Sequence, residues 1–126
     1  INKLEELDQH SFVKCAITET QKILYCFRRS PSFVSIDIQK SYIRKILGLI
    51  AFRKNSLLKI SKMKPSIIEK KEFIEQIRII VNGFLFYSVP VPKSTPSVNE
   101  PNDELIILDK LKNNKEQINL LKKILN

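Results

Sequence analysis

The sequence predicts an all-α fold: a four-helix, bundle-like domain, then a proline-rich linker and a small C-terminal element. Three observations predict it. Apolar residues recur at helical spacing through most of 1–88. Glycine occurs only twice in 126 residues, which disfavours hairpin-rich β folds and glycine-rich phosphate loops, since both need positive φ angles. Serine and proline stand where helices would begin and end. With 43% hydrophobic and 28% charged residues, the chain has the composition of a core-forming domain. The expected organisation is a helical domain over 1–88, a linker over 89–102 and a small element over 103–126.

Residues 1–9, with Leu4 and Leu7 among Glu5, Glu6 and Asp8, read as the end of a helix. Ser11 is placed to cap the next one. From there Val13, Ala16, Ile17, Thr20, Ile23, Leu24 and Phe27 form one helical stripe, and Cys15 and Cys26 fall on its opposite side with Phe12. Eleven residues of helix separate those cysteines by roughly 16 Å at about 1.5 Å per residue. A disulfide needs Cα atoms within about 7 Å, so both are expected as free thiols. Pro31 ends this helix, because it disfavours α geometry in the residue before it.

Ser32 or Ser35 can cap a long central helix, with Asp37 in its first turn favouring the dipole. Tyr42, Ile43, Ile46, Leu49, Ile50, Leu57 and Ile60 gather in one sector, and Lys40, Arg44, Lys54 and Lys62 in the other. Arg53 projects into the apolar sector, so the helix breaks near Asn55–Ser56, or Arg53 meets a buried carboxylate, or its stem carries the charge outward. Pro65 closes the segment. Ser66 with Glu69 then reads as a capping box, opening a helix whose stripe is Phe73, Ile74, Ile77, Ile80, Val81 and Phe84. Four large residues follow, Phe84, Leu85, Phe86 and Tyr87. Pro90, Pro92, Pro96 and Pro101 mark the linker. Beyond it, ELIILDKL reads as a short strand or a helix start, and Ile118, Leu121, Ile124 and Leu125 as a closing helix.

Charge gives the first candidate site. Between Asp37 and Glu69 lie eight basic residues and no acidic one. The formal net charge is +9, so removing these eight leaves +1 for the rest of the chain. Lys40, Arg44, Lys54 and Lys62 are the candidate contacts to nucleic acid or to an acidic partner, against the alternative of a solvated helix face. The second candidate is a subunit interface at Phe84, Leu85, Phe86 and Tyr87, because aromatics pointing in several directions at a helix end leave apolar surface for a partner to cover. His10, the single histidine, reads as a surface residue. No metal site, cofactor or catalytic group is expected, and the carboxylates Glu69, Glu72 and Glu75 are explained by helix-start electrostatics. No window reaches about 18 uninterrupted apolar residues, so no membrane span is expected. Ile1 in place of a methionine suggests a chain whose first residues are missing.

Three stretches carry a family resemblance: KLEELDQHSFVKCAITETQKIL, SYIRKILGLIAFRK and KMKPSIIEKKEFIEQIRIIVNGF. Their order resembles the helical domain of the GINS family of DNA-replication factors, with Arg44, Ile46 and Leu47 in the central helix and Phe73 in the following one. The resemblance implies a non-catalytic assembly subunit that joins sister subunits in a hetero-oligomer. It also implies contact with the replicative helicase and a partner of the Cdc-forty-five or RecJ type. The location so implied is cytoplasmic and nucleoid-associated in a prokaryote, or nuclear in a eukaryote. The rival readings are a stand-alone basic helical module binding nucleic acid, and a helical adaptor of another complex.

Overall fold

The computed structural model describes residues 1, 4–91, 98, 101 and 103–125. The chain divides into two compact units, Ile1–Pro90 and Val91–Asn126. Among the described residues no helix is long and apolar enough to cross a membrane.

The first unit is not all-α. Its middle is a three-stranded antiparallel sheet of β1 (Lys14–Ile17), β2 (Ile23–Phe27) and β3 (Ile43–Lys45), in the order β2-β1-β3. The helix expected from Ser11 to Arg29 is therefore a hairpin. Its turn closes through Thr18, whose carbonyl accepts from the Gln21 amide at 3.0 Å and whose hydroxyl accepts from the Lys22 amide at 3.2 Å. Gln21 takes φ +65°, so the turn uses positive φ without glycine. All four residues of β1 are buried, because the sheet is covered on both faces. On one face Cys15, Ile17, Ile23 and Cys26 pack with Ile74 and Ile77. On the other, Ala16, Phe27 and Ile43 pack with Leu7, which belongs to the short α1 (Glu5–Asp8). A strand apolar on both sides does not alternate, and so matches a helical template as well as a β one.

The long central helix is likewise in pieces: α2 (Ile36–Tyr42), then β3, then an irregular run over 46–53, then α3 (Lys54–Ile60). Gly48 turns the irregular run at φ +80°, and Arg53 stands at the N-cap position of α3 in extended backbone, with no side-chain capping bond. The helix opened by Ser66 does start with a capping box: Ser66 Oγ accepts from the Glu69 amide at 3.1 Å, and Glu69 Oε2 accepts from the Ser66 amide at 3.3 Å. It breaks at Phe73, which ends α4 (Ile67–Glu72) in left-handed backbone at φ 54°, before α5 (Gln76–Val81). The break rotates the stripe, so that Ile74, Ile77 and Ile79 are buried while Phe73 is 81% exposed.

In the second unit α6 (Asp103–Asn113) is followed by α7 (Lys115–Leu125), so ELIILDKL is helical rather than a strand. Asn114 caps α7, its Oδ1 accepting from the amides of Glu116 and Gln117 at 3.0 and 3.2 Å. No residue of either helix is buried. Most of the proline-bearing stretch expected as a linker, including Pro92 and Pro96, lies outside the described residues.

Candidate functional site

The four basic residues do not line one helix. Lys40 is near the end of α2, with Nζ 4.0 Å from Asp37. Arg44 is in β3, where its guanidinium donates to the carbonyls of Lys40, Ser41 and Ile43. Lys54 opens α3 and Lys62 follows it, both exposed. The structure brings Lys40 and Arg44 together and gives Lys54 and Lys62 a separate segment.

Phe84 to Tyr87 are extended, not helical. Phe84 and Phe86 are half-buried, whereas Leu85 and Tyr87 are 66% and 51% exposed, which is the period of a strand. Phe86 packs against the Cys15–Ile77 cluster. The Phe86 carbonyl accepts from the Ile23 amide at 2.8 Å, Lys22 bridges to Tyr87, and the Ser88 amide donates to the Gln21 carbonyl at 2.8 Å.

The chemistry-bearing residues converge elsewhere, at the corner between α4 and α5. The capping box fixes Glu69 at the first turn of α4, and its side chain is buried. Arg78 on α5 meets it with a bidentate fork: Nε donates to Oε1 and Oε2 at 3.1 and 3.0 Å, and Nη2 donates to Oε1. The Arg78 hydrogen bond holds the Glu69 carboxyl below the usual carboxylate range and outweighs burial, while the same bond pushes Arg78 up. Arg28 ties the corner to the end of β2, donating from Nε to the Glu72 carbonyl, from Nη2 to the Phe73 carbonyl and from Nη1 to the His10 carbonyl, at 3.0, 3.0 and 2.7 Å.

Two clefts flank the pair. One, of about 510 Å³, is lined by Pro65, Glu69, Lys70, Phe73, Ile74 and Glu75. The other, of about 230 Å³, has apolar walls from Ile50, Phe52, Leu57, Ile60 and Ile79 and polar groups from Ser61, Glu75, Gln76 and Arg78. Glu75 borders both. An apolar cleft with few convergent polar groups is the usual form of a small-molecule site. Here the carboxylate and the amide can exchange hydrogen bonds with ligand hydroxyls. Among the described residues no three His, Cys, Asp or Glu side chains come together as metal ligands. In the sequence Glu69 and Glu75 read only as helix-start charges, and nothing there singles out Gln76 or Arg78. No signal in the sequence marks the pair: Arg78 stands nine residues after Glu69, and on a continuous helix the two cannot meet, so the contact depends on the break at Phe73.

No family model matches the sequence. It is 33% identical over 99 residues to the 3-deoxy-manno-octulosonate cytidylyltransferase of Chlorobium phaeobacteroides strain BS1, covering 77% of this chain and 39% of that protein. The Rickettsia prowazekii protein of the same name is 35% identical over 99 residues, covering 79% of this chain and 38% of its own length. That of Chlamydia felis is 34% identical over 91 residues, covering 72% and 35%. A solved CMP:2-keto-3-deoxy-manno-octonic acid synthetase, complexed with CTP, superposes with a TM-score of 0.73 at 25% identity, over 88% of this chain and 46% of that one. The chain thus spans about 40% of the length of the curated relatives it matches.

These findings overturn the resemblance to GINS. The stretches that carried it lie in part of an α/β nucleotidyltransferase fold, and in this chain the first contains the β1–β2 turn and the second contains β3. With it fall the non-catalytic replication scaffold, the sister subunits, and the helicase and Cdc-forty-five or RecJ-type partners. The expectation that no enzyme is involved is corrected too, since the relatives are named as cytidylyltransferases.

Proposed function

We propose that this chain is part of a cytidylyltransferase acting on a 3-deoxy-manno-octulosonate-type sugar acid. The observation that carries the reading is the 33% identity over 77% of this chain to an enzyme of that name. In such a reaction a hydroxyl of the sugar acid attacks the α-phosphorus of CTP. An O–P bond forms, the bond to the β-phosphate oxygen breaks, and pyrophosphate leaves. The cleft bordered by Glu75 and Gln76 would take the sugar acid, with the Glu75 carboxylate accepting from a hydroxyl and the Gln76 amide bonding a second. The apolar wall would exclude water around them. Arg78, already engaged by Glu69, positions the α4–α5 corner rather than reaching the ligand. A net charge of +9 favours two anionic substrates. The site of action is the cytoplasm, where CTP is supplied.

The test is ligand-observed saturation transfer with the purified chain, offering 3-deoxy-manno-octulosonate and CTP separately, followed by pyrophosphate release with both present. Transfer to the sugar acid that falls in Glu75→Gln supports the reading. Absence of transfer to either compound, with no pyrophosphate released, rejects it.

A further inference from the structure

We propose that Cys15 and Cys26 are a latent cross-strand disulfide site, closed by a small-molecule disulfide when the β1–β2 hairpin opens. The ladder pairs the two residues directly. Opposed residues of antiparallel strands have Cα atoms about 4.5–5.5 Å apart and side chains on the same face. A disulfide spans Cα separations of about 4.4–6.8 Å, so neither strand has to move to accept one. Both thiols are free and buried, and they share one cluster with Ile17, Ile23, Ile74 and Ile77. Among the described residues no further ligand set surrounds them that would make the pair a metal site.

The chemistry is two successive exchanges. The Cys26 thiolate attacks one sulfur of the reagent R–S–S–R, forming a mixed disulfide and releasing RS⁻, which takes a proton. The Cys15 thiolate then attacks the Cys26 sulfur, the protein S–S bond forms, and the second RSH leaves. Two protein thiols are oxidised and one reagent disulfide is reduced to two thiols. Cys26, 7% exposed against 1% for Cys15, is the thiol that a local opening of the hairpin reaches first. Burial pushes the Cys26 thiol up to about 12 and Cys15 up to about 11, the Arg44 charge and backbone N–H drawing Cys15 partway back. The attacking thiolate is therefore scarce in the closed sheet. Exchange runs through local openings of the hairpin, and the bridge then resists reopening.

The full chain is incubated with oxidised glutathione, both folded and while refolding from denaturant, and digested with trypsin without reduction. Cleavage after Lys14, Lys22 and Arg28 separates the cysteines onto peptides 15–22 and 23–28. The expected product is those two peptides joined, forming faster during refolding than in the folded chain. Its denaturation midpoint lies above that of the reduced chain and returns on adding dithiothreitol. Cys15→Ala and Cys26→Ala should each stop at one glutathione adduct under refolding conditions. The proposal is overturned if refolding yields only adducts or chain-to-chain bridges, or if the joined form melts no higher than the reduced one.

Discussion

The β1–β2 hairpin and the α6–α7 helix pair are both simple two-element units, and they bury their side chains in opposite ways. In the hairpin all of β1 and Ile23, Cys26 and Phe27 of β2 are buried, because helices and loops cover the sheet on both sides. In α6 and α7 no residue is buried, and Leu105, Ile124 and Leu125 are more than two-thirds exposed. Elements covered on both faces lose the polar positions that reveal their period, whereas a one-sided helix keeps them. The element on which the first unit depends most is for that reason the one its sequence disguises best.

The largest expected effect tests this contrast directly. Ile74 is 1% exposed against the Cys15–Cys26 face, so Ile74→Ala should cost about 2–5 kcal/mol through lost burial and the cavity left behind. Leu121 in α7 is 46% exposed, and Leu121→Ala should stay within about 0.5 kcal/mol. Equilibrium urea denaturation of both variants decides it. Similar losses would mean that α7 is packed as firmly as the sheet, and the contrast would collapse.

A second, smaller effect comes from Lys14, the one lysine of β1, whose side chain is wholly buried. Its ammonium donates to the carbonyls of Glu6 and Gln9 at 2.9 and 2.7 Å, and Lys45 lies nearby, its Nζ 3.3 Å from the centre of the Phe12 ring. Burial lowers Lys14 to about 8 from 10.5. Above about pH 8 the folded chain releases this proton while the unfolded chain holds it to 10.5, so stability rises with pH. The buried thiols work the other way: above pH 9.0 the unfolded chain loses protons that the folded chain keeps to about 11 and 12, and stability falls. Thermal melting should therefore peak near pH 9. Lys14→Met should remove the rise, and the double variant Cys15→Ala, Cys26→Ala should weaken the fall. A melting temperature that declines steadily from pH 7.5 would show that Lys14 is not desolvated.

What was legible follows the same division. The capping box of Ser66 and Glu69 is legible because that signal is local, needing only two residues three apart. Ser66→Ala should accordingly cost about 0.5–2 kcal/mol, measured as a lowered denaturation midpoint. The helical period of Ile118, Leu121 and Ile124 was legible because one face of α7 stays polar. The hairpin was not, since Val13 to Phe27 satisfies a 3.6-residue stripe by accident of two-sided burial and its turn contains no glycine. The candidate site was legible only as fragments: Glu69 and Glu75 stood out as charges, but their meeting with Arg78 and Gln76 depends on a chain reversal at Phe73 that no residue type announces.

That reversal yields the smallest and most discriminating prediction, because its sign differs from that of an ordinary aromatic deletion. Phe73 sits at φ 54° and ψ 45°, a conformation that costs a residue with a Cβ roughly 1 kcal/mol or more and glycine almost nothing. The residue is 81% exposed, so its ring gains little from burial. The corner is held instead by its backbone, through the Arg28 fork on the carbonyls of Glu72 and Phe73. Phe73→Gly should thus be neutral or stabilising by up to about 1 kcal/mol, since relief of the left-handed strain offsets the extra freedom of the unfolded chain. Phe86→Ala, by contrast, removes a ring packed on the sheet core and should destabilise the chain. Urea midpoints of the two variants, measured beside the parent, settle the matter. Should Phe73→Gly destabilise as much as Phe86→Ala, the ring and not the Arg28 fork holds the α4–α5 corner, and the geometry assigned to Glu69, Glu75 and Arg78 would have to be redrawn.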